Sequence, residues 1–325
     1  MPAKRSGKER APANKRIGRG LAWARYDDLI VPVAGRTADL ADLGPRYLNI
    51  FDAGPSPCLV NADPGEILAE GDSWFCLSIY GNQVTMVQHL NKMGYQVSNV
   101  SRYSRTIAQV FARRDDPTGY RTCLANKPKA FLLSAGGNDF LGETIPTWLK
   151  QRASGDLDPA NARKYVNKNF DHILASVKYT YKQILEDVAK ISPRTRVALQ
   201  TYTYGAVPTH DEGMHLGRYF KARGFEPINP AHRPLIAAIV ELLIDRFEDV
   251  LSSVQRKAKV KVEIIDFRSA LQSADMRDEI HPKSTKAPAM AEAYLPFLRR
   301  ARVTQPTAFL SKAGAGSRDE NAPRI

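Results

Sequence analysis

One alternation restricts what this chain can fold into. Between residues 66 and 301, short apolar runs alternate with stretches of helical spacing. Ile67 to Ala69, Tyr95 to Val100, Ala130 to Ser134, Val197 to Tyr204 and Val262 to Phe267 are apolar, β-branched or aromatic over the length of a strand. Between them, Val84, Val87, Leu90 and Met93 fall on one helical face, and Thr106 to Arg113 reads as a helix. Residues 160–191 and 233–257 carry long helical periodicity, and a last helix is expected over 287–301 despite Pro288 and Pro296. Strands separated by helices pair in parallel and are covered on both faces, so the pattern predicts a three-layer α/β/α domain.

The two ends do not share this pattern. Residues 1–25 hold eight Lys or Arg against Glu9 alone, which is +7 of the formal net charge of +13. Residues 303–325 are rich in Ala, Gly, Ser, Pro and charge. The chain of 325 residues therefore divides into a basic disordered tail (1–25), a single domain (26–302) and a flexible C-terminal tail (303–325). Within the domain, residues 29–33 read as a short strand or packing arm, and residues 52–64 as a turn-rich approach. The basic tail suits weak, non-specific binding to a polyanion. No apolar segment follows it as a secretory signal would require. No run of about 18 apolar residues provides a membrane span; the longest candidate, Leu235 to Phe247, is cut by Glu241 and Asp245. Cys58, Cys76 and Cys123 are widely spaced and form no C-x-x-C pair, which argues against a disulfide framework or a zinc knuckle and for a reducing cytoplasm.

Three short polar segments stand at or beyond the carboxyl ends of expected strands: Gly71-Asp72-Ser73-Trp74, Gly136-Gly137-Asn138-Asp139 and Asp278-Glu279-Ile280-His281-Pro282. Ligands of open parallel sheets bind at those ends, where the strand order reverses. A serine, an amide donor and an Asp/His pair there are the parts of an acyl-transfer site. Each segment alone also reads as a turn or a helix cap. His210 and His215 are five apart around Gly213, not the four that would put two zinc ligands on one helical face, so residues 205–230 read as a lid or substrate loop. Residues 312–317 (KAGAGS) follow no strand and make a poor phosphate loop.

In order and spacing, the three segments resemble the blocks of the SGNH (GDSL-like) hydrolase superfamily, over about residues 66–300. The resemblance implies a flavodoxin-like parallel sheet of order 2-1-3-4-5 and a serine hydrolase that cleaves a carboxylic ester as an esterase, lipase or deacetylase-like enzyme. It implies Ser73 as nucleophile, His281 as base and Asp278 as the acid that orients it. The oxyanion hole would comprise the Ser73 N–H, the Asn138 amide and a second backbone N–H. In the family that last donor is a glycine; here the position is Ser104, whose N–H can serve provided the backbone does not require a positive φ. Asp275 is the alternative orienting acid, Trp74 and Gly137 are candidate pocket residues, and no metal or organic cofactor is implied. The substrate would be a small-molecule, carbohydrate or lipid ester. The rival readings are a non-catalytic binding or structural protein that keeps the fold, and a hydrolase localised to nucleic acid or another polyanion by the basic tail.

Overall fold

The structure is a computed structural model that describes residues 21–26, 29–34, 65–76 and 84–304. Residues 1–20, the turn-rich approach at 52–64 with Cys58, and the glycine-containing stretch at 312–317 lie outside the described residues.

Strands β1 (Leu21–Tyr26) and β2 (Leu29–Ala34) form an antiparallel hairpin, paired from Leu21 opposite Ala34 to Tyr26 opposite Leu29. The hairpin contains the strand expected at 29–33, and β1 begins before the tail boundary drawn at residue 25. The main sheet comprises β3 (Ile67–Gly71), β4 (Val97–Asn99), β5 (Ala130–Ser134), β6 (Arg196–Gln200) and β7 (Val262–Ile265). All its pairs are parallel and its order is β4-β3-β5-β6-β7, the 2-1-3-4-5 order when only these five are counted. Every residue of β3 and β5 is buried, as continuous apolar runs covered on both faces should be.

The helices, in chain order, are α1 (Ser73–Cys76), α2 (Met86–Lys92), α3 (Ile107–Ala112), α4 (Tyr120–Leu124), α5 (Gly137–Phe140), α6 (Ile145–Trp148), α7 (Ala162–Tyr165), α8 (Asn169–Ile191), α9 (Gly217–Lys221), α10 (Arg233–Lys257), α11 (Ala287–Glu292) and α12 (Leu295–Arg300). Helices α3, α4 and α10 pack on α8, while α2 packs on α11, which builds one layer on each side of the sheet. Right-handed crossovers dictate this division, because the chain moves one way from β3 to β4 and the other way from β4 to β5. Both α2 and α3 start in a capping box: Thr85 with Gln88, and Thr106 with Gln109. Each such cap stabilises its helix by about 1 kcal/mol. Helix α8 buries Phe170, Ile173, Leu174, Val177, Tyr181, Ile184, Leu185 and Val188 on one stripe, the periodicity read from the sequence.

Two expected helices are broken. Residues 160–191 form α7 and α8, separated where Val166 bridges to Leu149 and the Asn167 side chain accepts the Asn169 N–H at 2.7 Å. Residues 287–301 form α11 and α12, and each proline falls in the first turn of its own helix, where no N–H is required. The strand expected to run to Tyr204 stops at Gln200, because Thr201 Oγ1 turns to accept the Phe267 N–H at 2.7 Å. Among the described residues, no helix is long and apolar enough to cross a membrane.

Candidate active site

The order of the sheet reverses between β3 and β5, so their carboxyl ends diverge into a crevice. Gly71 pairs with Ser134 at those ends. A β-carbon on Gly71 would lie 2.0 Å from the Ser134 carbonyl oxygen, so only glycine lets the strands approach this closely. The chain then turns sharply. The Asp72 N–H donates to the Ser134 carbonyl at 2.8 Å, the Asp72 carboxylate accepts the Trp74 N–H at 3.1 Å, and Ser73 opens helix α1.

A buried polar chain supports this turn. Asp72 accepts from the Tyr202 hydroxyl, which itself accepts the Gly137 N–H at 3.0 Å and so joins the two strand-end turns. Ser134 Oγ donates to Asp72 at 3.2 Å and accepts from Gln200 at 2.7 Å, and the Tyr294 hydroxyl donates to Gln200 at 2.5 Å. Burial pushes the Asp72 carboxyl up to about 6, against the bonds from Tyr202, Trp74 and Ser134 that favour its charge.

The third segment closes over Ser73 from the far end of the chain. The Arg277 N–H donates to the His281 carbonyl at 2.7 Å and Met276 bridges to Pro282, folding residues 276–282 into a tight turn. His281, 1% exposed, presents Nε2 at 2.9 Å from Ser73 Oγ and Nδ1 at 2.9 and 3.0 Å from the two Asp278 oxygens. Burial alone would raise Asp278. The bonds and charge of His281, the Ile280 N–H at 3.0 Å and the Arg277 guanidinium at 2.6 Å overcome it and hold the carboxyl well below its ordinary value.

Asp275 lies elsewhere. It accepts the Gln272 N–H at 2.9 Å and pairs with Lys286 at 2.7 Å, so its carboxylate serves a cap and a surface ion pair. Trp74 is buried. Its Nε1–H donates to the Ile280 carbonyl at 3.1 Å and its ring meets Tyr202 edge-on at 5.2 Å, which braces the His281 turn against the Ser73 turn. Gly137 is packed beneath Tyr202, whose ring a β-carbon would meet at 2.7 Å. A recess beside the Ser73–His281 bond is lined by Ser73, Trp74, Thr85, Met86, His281 and Met290.

The Asn138 side-chain amide donates to the Arg105 carbonyl at 2.9 Å, and the Arg105 guanidinium lies 3.8 Å from the buried Glu70. Asp139 accepts the Ile107 N–H at 2.8 Å. Burial pushes Asp139 up to about 7, in spite of that bond and with help from the neighbouring Asp72 charge. The segment between β4 and α3 is thereby tied to the Asn138 turn. Ser104 within it has φ +58, in the left-handed region. The condition attached to this position is therefore not met: the serine stands where a glycine would be unstrained.

Two rings that the sequence reading did not assign to the site flank His281. Tyr103 stacks on it at 6.1 Å with 26° between the planes, and His215 meets it edge-on at 5.2 Å. Burial, then the charge of His281, pushes His215 down to about 4. Ligand-capable atoms of His215, Asp278 and His281 lie within 4.8 Å of one another and make a metal-capable group among the described residues. Asp278 and His281 are already engaged with each other, Ser73 and Arg277. The sequence signal for His215 was a histidine in a long glycine-rich connection; its partner lies on another element.

Residues 36–294 match the family described as GDSL-like lipase/acylhydrolase. No curated protein matches the chain. Among solved structures, the chain is similar to the lipase Lip_vut3 from a goat rumen metagenome, at 15% identity and a TM-score of 0.45, over 74% of this chain and 98% of that one. It is also similar to a GDSL-like lipase from Parabacteroides merdae, at 12% identity and a TM-score of 0.42, over 73% and 95%. A third is a catalytic mutant of an acetylxylan esterase from Geobacillus stearothermophilus, at 16% identity and a TM-score of 0.42, over 74% and 94%.

Proposed function

Because this chain belongs to the GDSL-like lipase/acylhydrolase family, a family of hydrolases, we propose that it cleaves a carboxylic ester through an acyl-enzyme. In this reading Ser73 is the nucleophile, His281 the base and Asp278 the orienting acid. The observation that carries it is the unbroken run of hydrogen bonds from Ser73 Oγ through both His281 nitrogens to Asp278. With the Nδ1–H donating to the Asp278 carboxylate, Nε2 carries the lone pair that takes the Ser73 proton as Oγ adds to the ester carbonyl. His281 then protonates the departing alcohol, and the same nitrogen activates the water that hydrolyses the acyl-enzyme.

The developing oxyanion would take donors from the Ser73 N–H and the second N–H of the Asn138 amide, the first being held by Arg105; the Ser104 N–H joins them only at the cost of its left-handed backbone. Each such donor contributes about 10²–10³ in rate. The recess between Trp74, Met86 and Met290 supports a short apolar acyl or alkyl group. Small-molecule, carbohydrate and lipid esters all carry such groups.

The test is a serine-directed fluorophosphonate combined with mass spectrometry. One adduct is expected, on Ser73, blocking turnover of a short acyl ester. An unlabelled Ser73 in folded protein that still turns over the ester would overturn the serine mechanism.

A further inference from the structure

The connection between β6 and α10, residues 205–230, is moulded around one buried side chain that the acyl-transfer chemistry leaves unused. Glu279, 5% exposed, stands between Asp278 and His281 in sequence but points away from them. Its carboxylate accepts three successive backbone N–H groups: His215 at 2.9 Å and Leu216 at 2.8 Å on Oε2, and Gly217 at 2.9 Å on Oε1. The fit leaves no room for side chains around it. A β-carbon on Gly213 would lie 1.9 Å from Oε1, and one on Gly217 would lie 1.7 Å from the His210 carbonyl oxygen. Two glycines and three N–H donors thus form a socket for this carboxylate, and the first donor belongs to His215.

The geometry has a direct consequence for the base. Holding the His215 backbone on Glu279 sets its imidazole edge-on to His281, opposite in character to the face-stacked Tyr103. We propose that Glu279 and His215 form a clasp that positions His281: Glu279 fastens the 205–230 connection to the base-bearing turn, and the His215 ring limits rotation of the His281 imidazole out of the line between Asp278 and Ser73. Both are positioning residues, and their role in turnover rests on the reading of His281 as the base. The physical reason is that transfer of the Ser73 proton requires Nε2 at hydrogen-bond distance and in line, and small misplacements of a catalytic group cost up to about 10²-fold in rate. The carboxylate suits the task because a bond from N–H to a charged acceptor is about twice as strong as a neutral one.

The experiment uses the full chain with three variants: His215→Ala, His215→Phe and Glu279→Gln, together with the His215→Ala/Glu279→Gln pair. His215→Ala is expected to lower kcat on a short acyl ester about 10-fold to 100-fold with KM within twofold, whereas His215→Phe, which keeps a ring against His281, restores most of the loss. Glu279→Gln removes the charge from the socket and is expected to produce a similar loss. The double variant should be no worse than the weaker single, because both act through one contact. Multiplied losses, or an unchanged kcat in His215→Ala, would overturn the proposal. The His281 ring resonances, read by NMR without any substrate, should move in His215→Ala and Glu279→Gln alike. Unmoved resonances would overturn the clasp itself, whereas moved resonances in a protein that Ser73-directed reagents fail to label would uphold the clasp and fail the esterase reading. If Glu279→Gln does not fold, His215→Ala against His215→Phe decides.

Discussion

Two turns face each other across this site, and they treat a carboxylate in opposite ways. In the Ser73 turn, Asp72 is enclosed by neutral partners, the Tyr202 and Ser134 hydroxyls and the Trp74 N–H, and burial raises it to about 6. In the His281 turn, Asp278 is also partly buried, yet His281, the Ile280 N–H and the Arg277 guanidinium hold it well below its ordinary value. The difference teaches what each turn requires. A hub that ties two strand ends together works by hydrogen-bond count and can carry a proton; an acid that, in the proposed mechanism, orients a base and balances an imidazolium must stay ionised.

The largest expected effect removes the atom both turns serve. Ser73→Ala should lower kcat by about 10⁴–10⁶ and leave thermal unfolding almost unchanged, since it deletes one hydroxyl. Wild-type turnover in that variant would break the comparison at its centre. Next, Asp278→Asn should cost about 10²–10⁴ in kcat through loss of the charge that fixes the His281 tautomer. Asp275→Asn, which touches only the Gln272 N–H and Lys286, should cost about tenfold or less. Measured together on one ester with folding checked by circular dichroism, a reversed ranking would transfer the orienting role to Asp275.

The pH dependence of stability sharpens the same contrast. Asp72 and Asp139 are raised to about 6 and about 7, so between the ordinary carboxylate range and those values the native state binds more protons than the unfolded chain. Their contribution to stability therefore falls as pH rises from about 4 to about 7. Asp278, held low, contributes stability that is present above about 4 and is lost only as pH falls below it. Asp139→Asn, which keeps an acceptor for the Ile107 N–H, should flatten the decline in denaturant midpoint between pH 4 and 7. An unaltered slope would show that burial does not govern this carboxylate.

A smaller effect is expected at Ser104. Replacing it with glycine relieves φ +58, and the greater freedom of the unfolded chain offsets part of the gain, so stability should rise by up to about 1 kcal/mol in urea unfolding. If the Ser104 N–H is an oxyanion donor, Ser104→Gly should leave kcat no lower than before. The smallest effect on catalysis is expected from deleting residues 1–20, short of strand β1. Their removal should leave kcat/KM on a small neutral ester within a few fold, while binding to a polyanion weakens and loses much of its salt dependence.

Much of this arrangement was legible in the chain. Ala130 to Ser134 and residues 233–257 read as they fold, because a fully buried strand and a long amphipathic helix each carry a periodicity that no neighbour needs to supply. The first two polar segments could be placed because covalent continuity puts them at strand ends, and the i, i+3 spacing of Asp278 and His281 lets a single turn bring these two together. The helix breaks were less legible. Asn167 and the residues before Leu295 are helix-compatible in isolation, and the breaks come from a bridge to Leu149 and from Pro296 in the first turn of α12.

What the sequence determined by itself was the layered fold, the strand-end positions of Ser73 and Asn138, and Asp278 and Asp275 as the two candidate partners of His281, of which the structure selects Asp278. Tertiary structure alone decided the contacts that span the chain. Ser73 meets His281 across 208 residues, Tyr202 reaches Asp72 across 130, and the His215 N–H finds Glu279 across 64. It also decided that Ser104 adopts a left-handed backbone. The reason is physical. Periodicity and caps act within a few residues and leave their mark in local composition, whereas these contacts exist only after the sheet order has brought β3, β5 and the last turn side by side.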